Sequence, residues 1–141
     1  MKRILVVGAG GFTGGFIVGE GLRRGYEVWA GVRASTSRAF LQDSRIHFLE
    51  LDFQNRESLS ESLRGALPEG ERWDYIIYNL GATKALDFAS FNRVNHDYLR
   101  DFTSALADTG MTPGKILYMS SLSVMGAGDE KGYTPFTPRD I

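Results

Sequence analysis

Between Arg3 and Arg24 the chain reads RILVVGAGGFTGGFIVGEGLRR, and seven of those residues are glycine. Four apolar residues, Ile4 to Val7, run straight into the cluster. A helix-like pattern follows, with Phe12, Phe16, Ile17 and Leu22 as its apolar members. Each glycine inside a helix costs roughly 1 kcal/mol relative to alanine, so an ordinary amphipathic helix would avoid so many. The spacing of Gly8, Gly11 and Gly14 suggests a reason for them. Gly8 lets the chain turn out of a strand, Gly11 lets backbone N–H groups approach a ligand, and Gly14 lets the helix pack closely on the strand before it.

Strand, tight glycine turn and helix form the opening unit of a dinucleotide-binding domain. The pyrophosphate of such a ligand sits on the helix N-terminus, where the dipole and unpaired N–H groups face it. The GxGxxG variant fits only in part, because Thr13 stands where its third glycine belongs. A glycine-rich turn without a ligand is the alternative, and the strand before and helix after weigh against it.

The rest of the chain alternates in the same way. Tyr26 to Val32 reads as a second strand, followed by Arg33 and a polar segment that can cap a short helix through Phe40 and Leu41. Ile46 to Leu51 reads as a third strand, with Ile46, Phe48 and Leu51 facing inward, and it ends in Asp52-Phe53. Asn55 can cap a helix carrying Leu59, Leu63, Ala66 and Leu67, which closes at Pro68-Glu-Gly70. Trp73 to Tyr78 is a fourth strand that opens into Asn79-Leu-Gly-Ala-Thr83. Asp87 can cap a long helix with Phe91, Val94, Tyr98, Phe102 and Leu106 as its stripe. Asn95 lies next to that stripe, where it either serves a ligand or bonds the backbone, and His96 reads as a surface residue. After Thr109-Gly110, a fifth strand covers Lys115 to Met119, with hydroxyls following at its carboxyl end. Ala127 to Ile141 reads as a loop.

Five alternations predict an α/β fold with βαβ units: a Rossmann-type doubly wound parallel sheet of order 3-2-1-4-5 with helices on both faces. One domain spans residues 1–141. The end of the second strand bears on the cofactor, since an acid there would bond the adenosine ribose and repel a 2′-phosphate. Gly31, Val32 and Arg33 offer no acid. Arg33, together with Arg38, can pair with a 2′-phosphate, which favours NADP over NAD, with a solvated surface arginine as the alternative. Asp52 can accept a bond from the adenine amino group, or serve as a plain loop acid.

A net charge of −1 gives no basic footprint for nucleic acid or an anionic membrane. The absence of cysteine excludes disulfides, thiolate metal sites and a cysteine nucleophile. Two histidines, His47 and His96, lie too far apart in sequence to suggest a metal cluster, so no metal is expected. The opening apolar run breaks at Gly8, too soon for a signal peptide, and a cytoplasmic location is expected.

Five segments in this order resemble the cofactor-binding half of the extended short-chain dehydrogenase/reductases, the NAD-dependent epimerase/dehydratase family. Gly8-Ala-Gly-Gly-Phe-Thr-Gly14 resembles the family's GxxGxxG, and Leu51-Asp52 its adenine-contact acid. Asn79-Leu-Gly-Ala82 resembles the small-residue segment after the fourth strand, and Arg93-Val-Asn95 the VN of the following helix. Ser120-Ser-Leu-Ser-Val-Met-Gly126 resembles SSxxVYG, with Met125 in place of the usual tyrosine.

The resemblance implies cofactor contacts at Gly8, Gly11, Phe12, Thr13 and Gly14, at Arg33, and at Asp52 and Phe53. It adds Leu80, Gly81, Ala82 and Asn95 on the nicotinamide side. It places the hydroxyl that polarises a substrate oxygen on Ser121, with Ser120 and Ser123 as alternatives. The implied substrate is a nucleotide-sugar or another secondary alcohol or carbonyl. Family enzymes also use a Tyr-x-x-x-Lys pair, and no tyrosine in these 141 residues has a lysine four places on. The pair and a substrate-binding part are expected beyond Ile141, so this chain by itself should show little or no turnover. The alternative is a non-catalytic NAD(P)-binding sensor or scaffold. Without a sixth strand, the fifth would be an unprotected edge, and self-association along it is expected.

Overall fold

The computed structural model describes residues 1–82 and 86–121. Five strands, β1 (Arg3–Val7), β2 (Glu27–Val32), β3 (His47–Glu50), β4 (Tyr75–Tyr78) and β5 (Lys115–Tyr118), form one sheet in the order 3-2-1-4-5. Every neighbouring pair is parallel. The expected architecture is therefore present, with α1 (Phe12–Arg23) on one face and α2 (Arg56–Gly65) and α4 (Tyr98–Asp108) on the other. Alternation along β1 divides the core between the faces. Ile4 and Val6 join Val18 and Leu22 beneath α1, while Leu5 and Val7 join Leu59, Leu63, Phe102 and Leu106 beneath α2 and α4. No helix among the described residues is long and apolar enough to cross a membrane.

The caps expected from the sequence are in place. Asn55 Oδ1 accepts from Ser58 N at 3.0 Å, and Asp87 Oδ1 accepts from Ser90 N at 2.7 Å. Gly110, at φ 69°, lets the chain leave α4 in the left-handed region.

Three local expectations are corrected. In α1 the sheet-facing residues are Gly14, Val18, Gly21 and Leu22, whereas Phe12 and Phe16 are 69% and 68% exposed. Glycine lets that helix sit close to the sheet, so the apolar stripe that bulky residues mark in other helices is here marked by small ones. In β3, Leu49 is the buried residue of the strand, and Phe48 lies partly open under the Arg38 guanidinium, 4.0 Å from the ring centroid. Phe48 faces the α1 side of an edge strand, where an arginine supplies its cover. No helix forms around Phe40: residues 33–41 make turns, with Leu41 alone anchored in the core.

The long helix predicted after Asp87 is broken in its middle. A short α3 (Phe88–Asn92) passes into a single π turn, Arg93–Asp97, before α4 resumes. The stripe survives from Tyr98 onward in buried Tyr98, Phe102 and Leu106, while Phe91 is exposed. Residues Ala127 to Ile141, expected to be a loop, lie outside the described residues.

Candidate functional site

Because the strands are parallel, all five carboxyl ends open on one side of the sheet. The chain winds outward from β1 in one direction and from β4 in the other, so the crevice lies between these two strands. Val7, paired with both Gly31 and Tyr78, brings β2 and β4 to the same level at its floor.

Gly8 leaves β1 at φ 78°, and its N–H donates to Gly31 O at 3.1 Å. A Cβ on Gly8 would stand 2.7 Å from Asn79 O and 2.9 Å from Leu80 N. Gly8 is thus what lets the turn after β1 lie against the segment after β4. Gly14 abuts the backbone of Gly8 and Ala9 so closely that a Cβ would overlap it. Gly11 differs, since a Cβ there would meet nothing within 4 Å. It is the N-cap of α1, with no side-chain cap and no acid in the first turn. The N–H groups of Phe12, Thr13 and Gly14 thus open the helix with no side-chain cap, which is the donor set an anion requires. A bound pyrophosphate fits this cradle.

On the β4 side, Asn95 Oδ1 accepts from Ala82 N at 2.8 Å and Asn95 Nδ2 donates to Ala82 O at 2.9 Å. The π turn points this side chain at the strand's tail rather than along the regular stripe. Of the two roles left open for Asn95, backbone bonding is therefore the one observed. It fixes the Gly81–Ala82 segment at the crevice, with Leu80 half-buried behind it.

The β2 end carries the exposed Arg33. Its N–H donates to Thr36 Oγ1 at 2.9 Å while Thr36 N donates back to Arg33 O at 3.0 Å. This turn lies on the glycine cluster: a Cβ on Gly10 would collide with the Thr36 methyl, and one on Gly15 would stand 2.9 Å from Phe40 Cβ. Gly10, which the sequence motif includes in the ligand turn, and Gly15 thus serve the loop after β2. Arg38 is occupied over Phe48, and no ion pair among the described residues engages Arg33.

Asp52, exposed at the end of β3, accepts from Gln54 N at 3.0 Å through Oδ1, which leaves acceptor capacity on the carboxylate. Phe53 turns the other way: its buried ring stacks on Tyr98, 5.3 Å between centroids. Ser120 and Ser121 follow β5 on the same side of the sheet and are exposed. Ser123 lies outside the described residues. Gly31 was missed as a site residue. A Cβ there would stand 3.2 Å from Val6 O, and its own carbonyl anchors the Gly8 and Ala9 amides. No group of His, Cys, Asp or Glu among the described residues could hold a metal ion.

A profile of the NAD dependent epimerase/dehydratase family matches residues 4–140. The chain belongs to that family. Among solved structures, a Burkholderia multivorans protein assigned as a short-chain alcohol dehydrogenase is 28% identical, with a TM-score of 0.74 over 94% of this chain and 68% of its own. A short-chain dehydrogenase/reductase from Burkholderia multivorans, solved with bound NADP, is likewise 28% identical with a TM-score of 0.74, over 94% of this chain and 64% of its own. The UDP-Glc/GlcNAc 4-epimerase of Campylobacter jejuni shares the fold at 18% identity, with a TM-score of 0.77 over 98% of this chain and 43% of its own. Against such epimerases the family member described here spans less than half the length. No curated protein matches it. Family, sheet order and glycine cradle together make this a nicotinamide-dinucleotide-binding domain.

Proposed function

We propose that the chain is the NADP-preferring, cofactor-holding part of a cytoplasmic epimerase, dehydratase or reductase acting on a nucleotide-sugar or another secondary alcohol or carbonyl. The observation that carries the cofactor preference is the β2 end, where an exposed arginine that no ion pair among the described residues engages stands in place of an acid. The NADP bound to the 28% identical relative supports it. When bound, the nicotinamide supplies hydride exchange with a carbon bearing the hydroxyl or carbonyl.

The residues of this chain bind and orient. The first turn of α1 donates its N–H groups to the pyrophosphate, and Arg33 pairs with the 2′-phosphate through charge-assisted bonds. The free acceptor sites of Asp52 take the adenine amino group. Gly81 and Ala82, held by Asn95, present backbone rather than side chain to the nicotinamide. The Ser121 hydroxyl donates a hydrogen bond to the substrate oxygen.

Titration with NADPH and NADH, read by nicotinamide fluorescence, tests the assignment. A charge-assisted bond contributes about 1.5–3 kcal/mol, so NADPH should bind about 10- to 100-fold tighter than NADH. Arg33→Asp should remove or invert that ratio. Equal binding that ignores Arg33→Asp would overturn the preference, and binding of neither nucleotide would overturn the whole assignment.

A further inference from the structure

The segment after β2 is held against α1 and its glycine turn at two points. Thr36 is the one residue of 33–40 that is not exposed. Its Oγ1 accepts from Arg33 N at 2.9 Å and its own N–H donates to Arg33 O at 3.0 Å, so residues 33–36 close into a turn bonded in both directions. Its methyl rests on Gly10 so closely that a Cβ there would collide with it. Four residues on, Phe40 Cβ takes a similar seat on Gly15, and Leu41 is buried in the core beneath α1. Thr36 is β-branched, with its methyl and hydroxyl on one carbon. Seating the methyl on Gly10 therefore also aims the hydroxyl at the Arg33 amide.

Arg33 alone is a poor discriminator. Its side chain is long and exposed, and no ion pair among the described residues holds it. A guanidinium ordered only as its ligand arrives gives up part of the bond's value in lost freedom. Fixing the backbone from which the side chain springs reduces that loss. We propose that Thr36 is the positioning residue for the nucleotide discrimination made at Arg33. Seated on Gly10, it holds the Arg33 backbone at a set offset from the pyrophosphate cradle, so the guanidinium meets a 2′-phosphate already placed. This rests on the NADP preference proposed above and adds to it a residue that acts only through another. Gly10 then serves selectivity, by leaving room for the Thr36 methyl.

Titration of the purified chain and its variants with NADPH and NADH tests the role. Thr36→Val keeps a methyl on Gly10 and removes the acceptor for Arg33 N. NADPH affinity should fall about three- to tenfold, with NADH affinity within about twofold of the parent. Thr36→Ser keeps the acceptor and should keep the preference within about twofold. In an Arg33→Ala background, Thr36→Val should change NADPH affinity by less than about twofold, because nothing is left to position. Gly10→Ala should reproduce the loss of preference, since Thr36 clears the new methyl only by turning its hydroxyl away or lifting the loop. Adding Thr36→Ser to Gly10→Ala should restore it. With the Thr36 methyl gone, the nearest atoms to the added Cβ are Ser37 O at 3.2 Å and Thr36 Cβ at 3.5 Å. A merely structural defect would weaken both nucleotides together. Equal binding of the two nucleotides by the parent chain would overturn the NADP preference and this inference with it. A parental preference that Thr36→Val leaves intact, a Thr36→Val loss that persists without Arg33, or a Gly10→Ala defect that Thr36→Ser does not repair would overturn the positioning role alone.

Discussion

A methyl group added at Gly8 would meet the Asn79 carbonyl at 2.7 Å on a backbone already at φ 78°, whereas one added at Gly11 would meet nothing within 4 Å. The same substitution should therefore separate folding from binding. Gly8→Ala is expected to cost about 3 kcal/mol or more, read as a collapse of the thermal transition. Gly11→Ala should cost about 1 kcal/mol or less, since the position is a helix N-cap with an allowed φ. It should nonetheless weaken NADPH binding at least about tenfold, because the methyl occupies the space a pyrophosphate needs. Tyr78 offers a second test at this scale. Its hydroxyl is buried with no hydrogen-bond partner among the described residues, and that burial holds its pKa above the ordinary 10.0. The unfolded chain gives up this proton first, so stability present below pH 10 falls as pH rises beyond it. Tyr78→Phe removes the unsatisfied group and should raise stability by about 1 kcal/mol at neutral pH while flattening the alkaline loss. Denaturant melts at pH 7 and pH 11 would measure both. The glycine spacing was legible in the sequence because each glycine is a visible exception to helix propensity. The same spacing singled out Gly11 as the glycine nearest a ligand, but that the Thr36 loop lies over Gly10 was not legible, because that contact comes from the loop after β2.

The π turn at Arg93–Asp97 is the element that no periodicity revealed. One extra residue in a helix turn shifts the phase of everything before it, so Phe91 leaves the face that Tyr98, Phe102 and Leu106 occupy. Asn95 uses the resulting offset to reach Ala82 with both ends of its amide. Asn95→Ala should lose those two bonds and about 1–2 kcal/mol of stability. Its local signature is amide exchange: the Ala82 N–H should exchange at least about tenfold faster, with β1 amides unchanged once global stability is corrected for. If Ala82 keeps its protection, the side chain is not what holds the segment. Helix caps, by contrast, were readable from Asn55 and Asp87 alone, because a cap is decided within four residues of chain. The buried face of α1 was readable only in part: Gly14 and Leu22 pointed to it, but Gly21 marks it by what it lacks, and the hydrophobic pattern followed Phe12 and Phe16 to the outside.

At the scale of the whole molecule, sheet order could be inferred because alternating strands and helices with right-handed crossovers leave few topologies. The two cores that result meet only through the sheet, one under α1 and one under α2 and α4. A dinucleotide in the crevice would touch both sides of that division, through the α1 turn and Arg33 on one side and Asp52 and the Asn95-held segment on the other. Its binding energy should therefore appear as stability of the whole fold rather than of one half. At a ligand concentration 100 times the dissociation constant, linkage adds about 2.7 kcal/mol. For a chain of this size that corresponds to a rise of roughly 5–11 °C in the melting temperature. NADPH should produce this rise in a single transition seen alike by Trp29 and Trp73 fluorescence and by far-ultraviolet circular dichroism, and Gly11→Ala, by weakening binding at least about tenfold, should cut it to about half or less without moving the unliganded transition far. A melt that splits into two steps on adding NADPH would mean that the ligand engages one half alone, and that the crevice between β1 and β4 is not its seat.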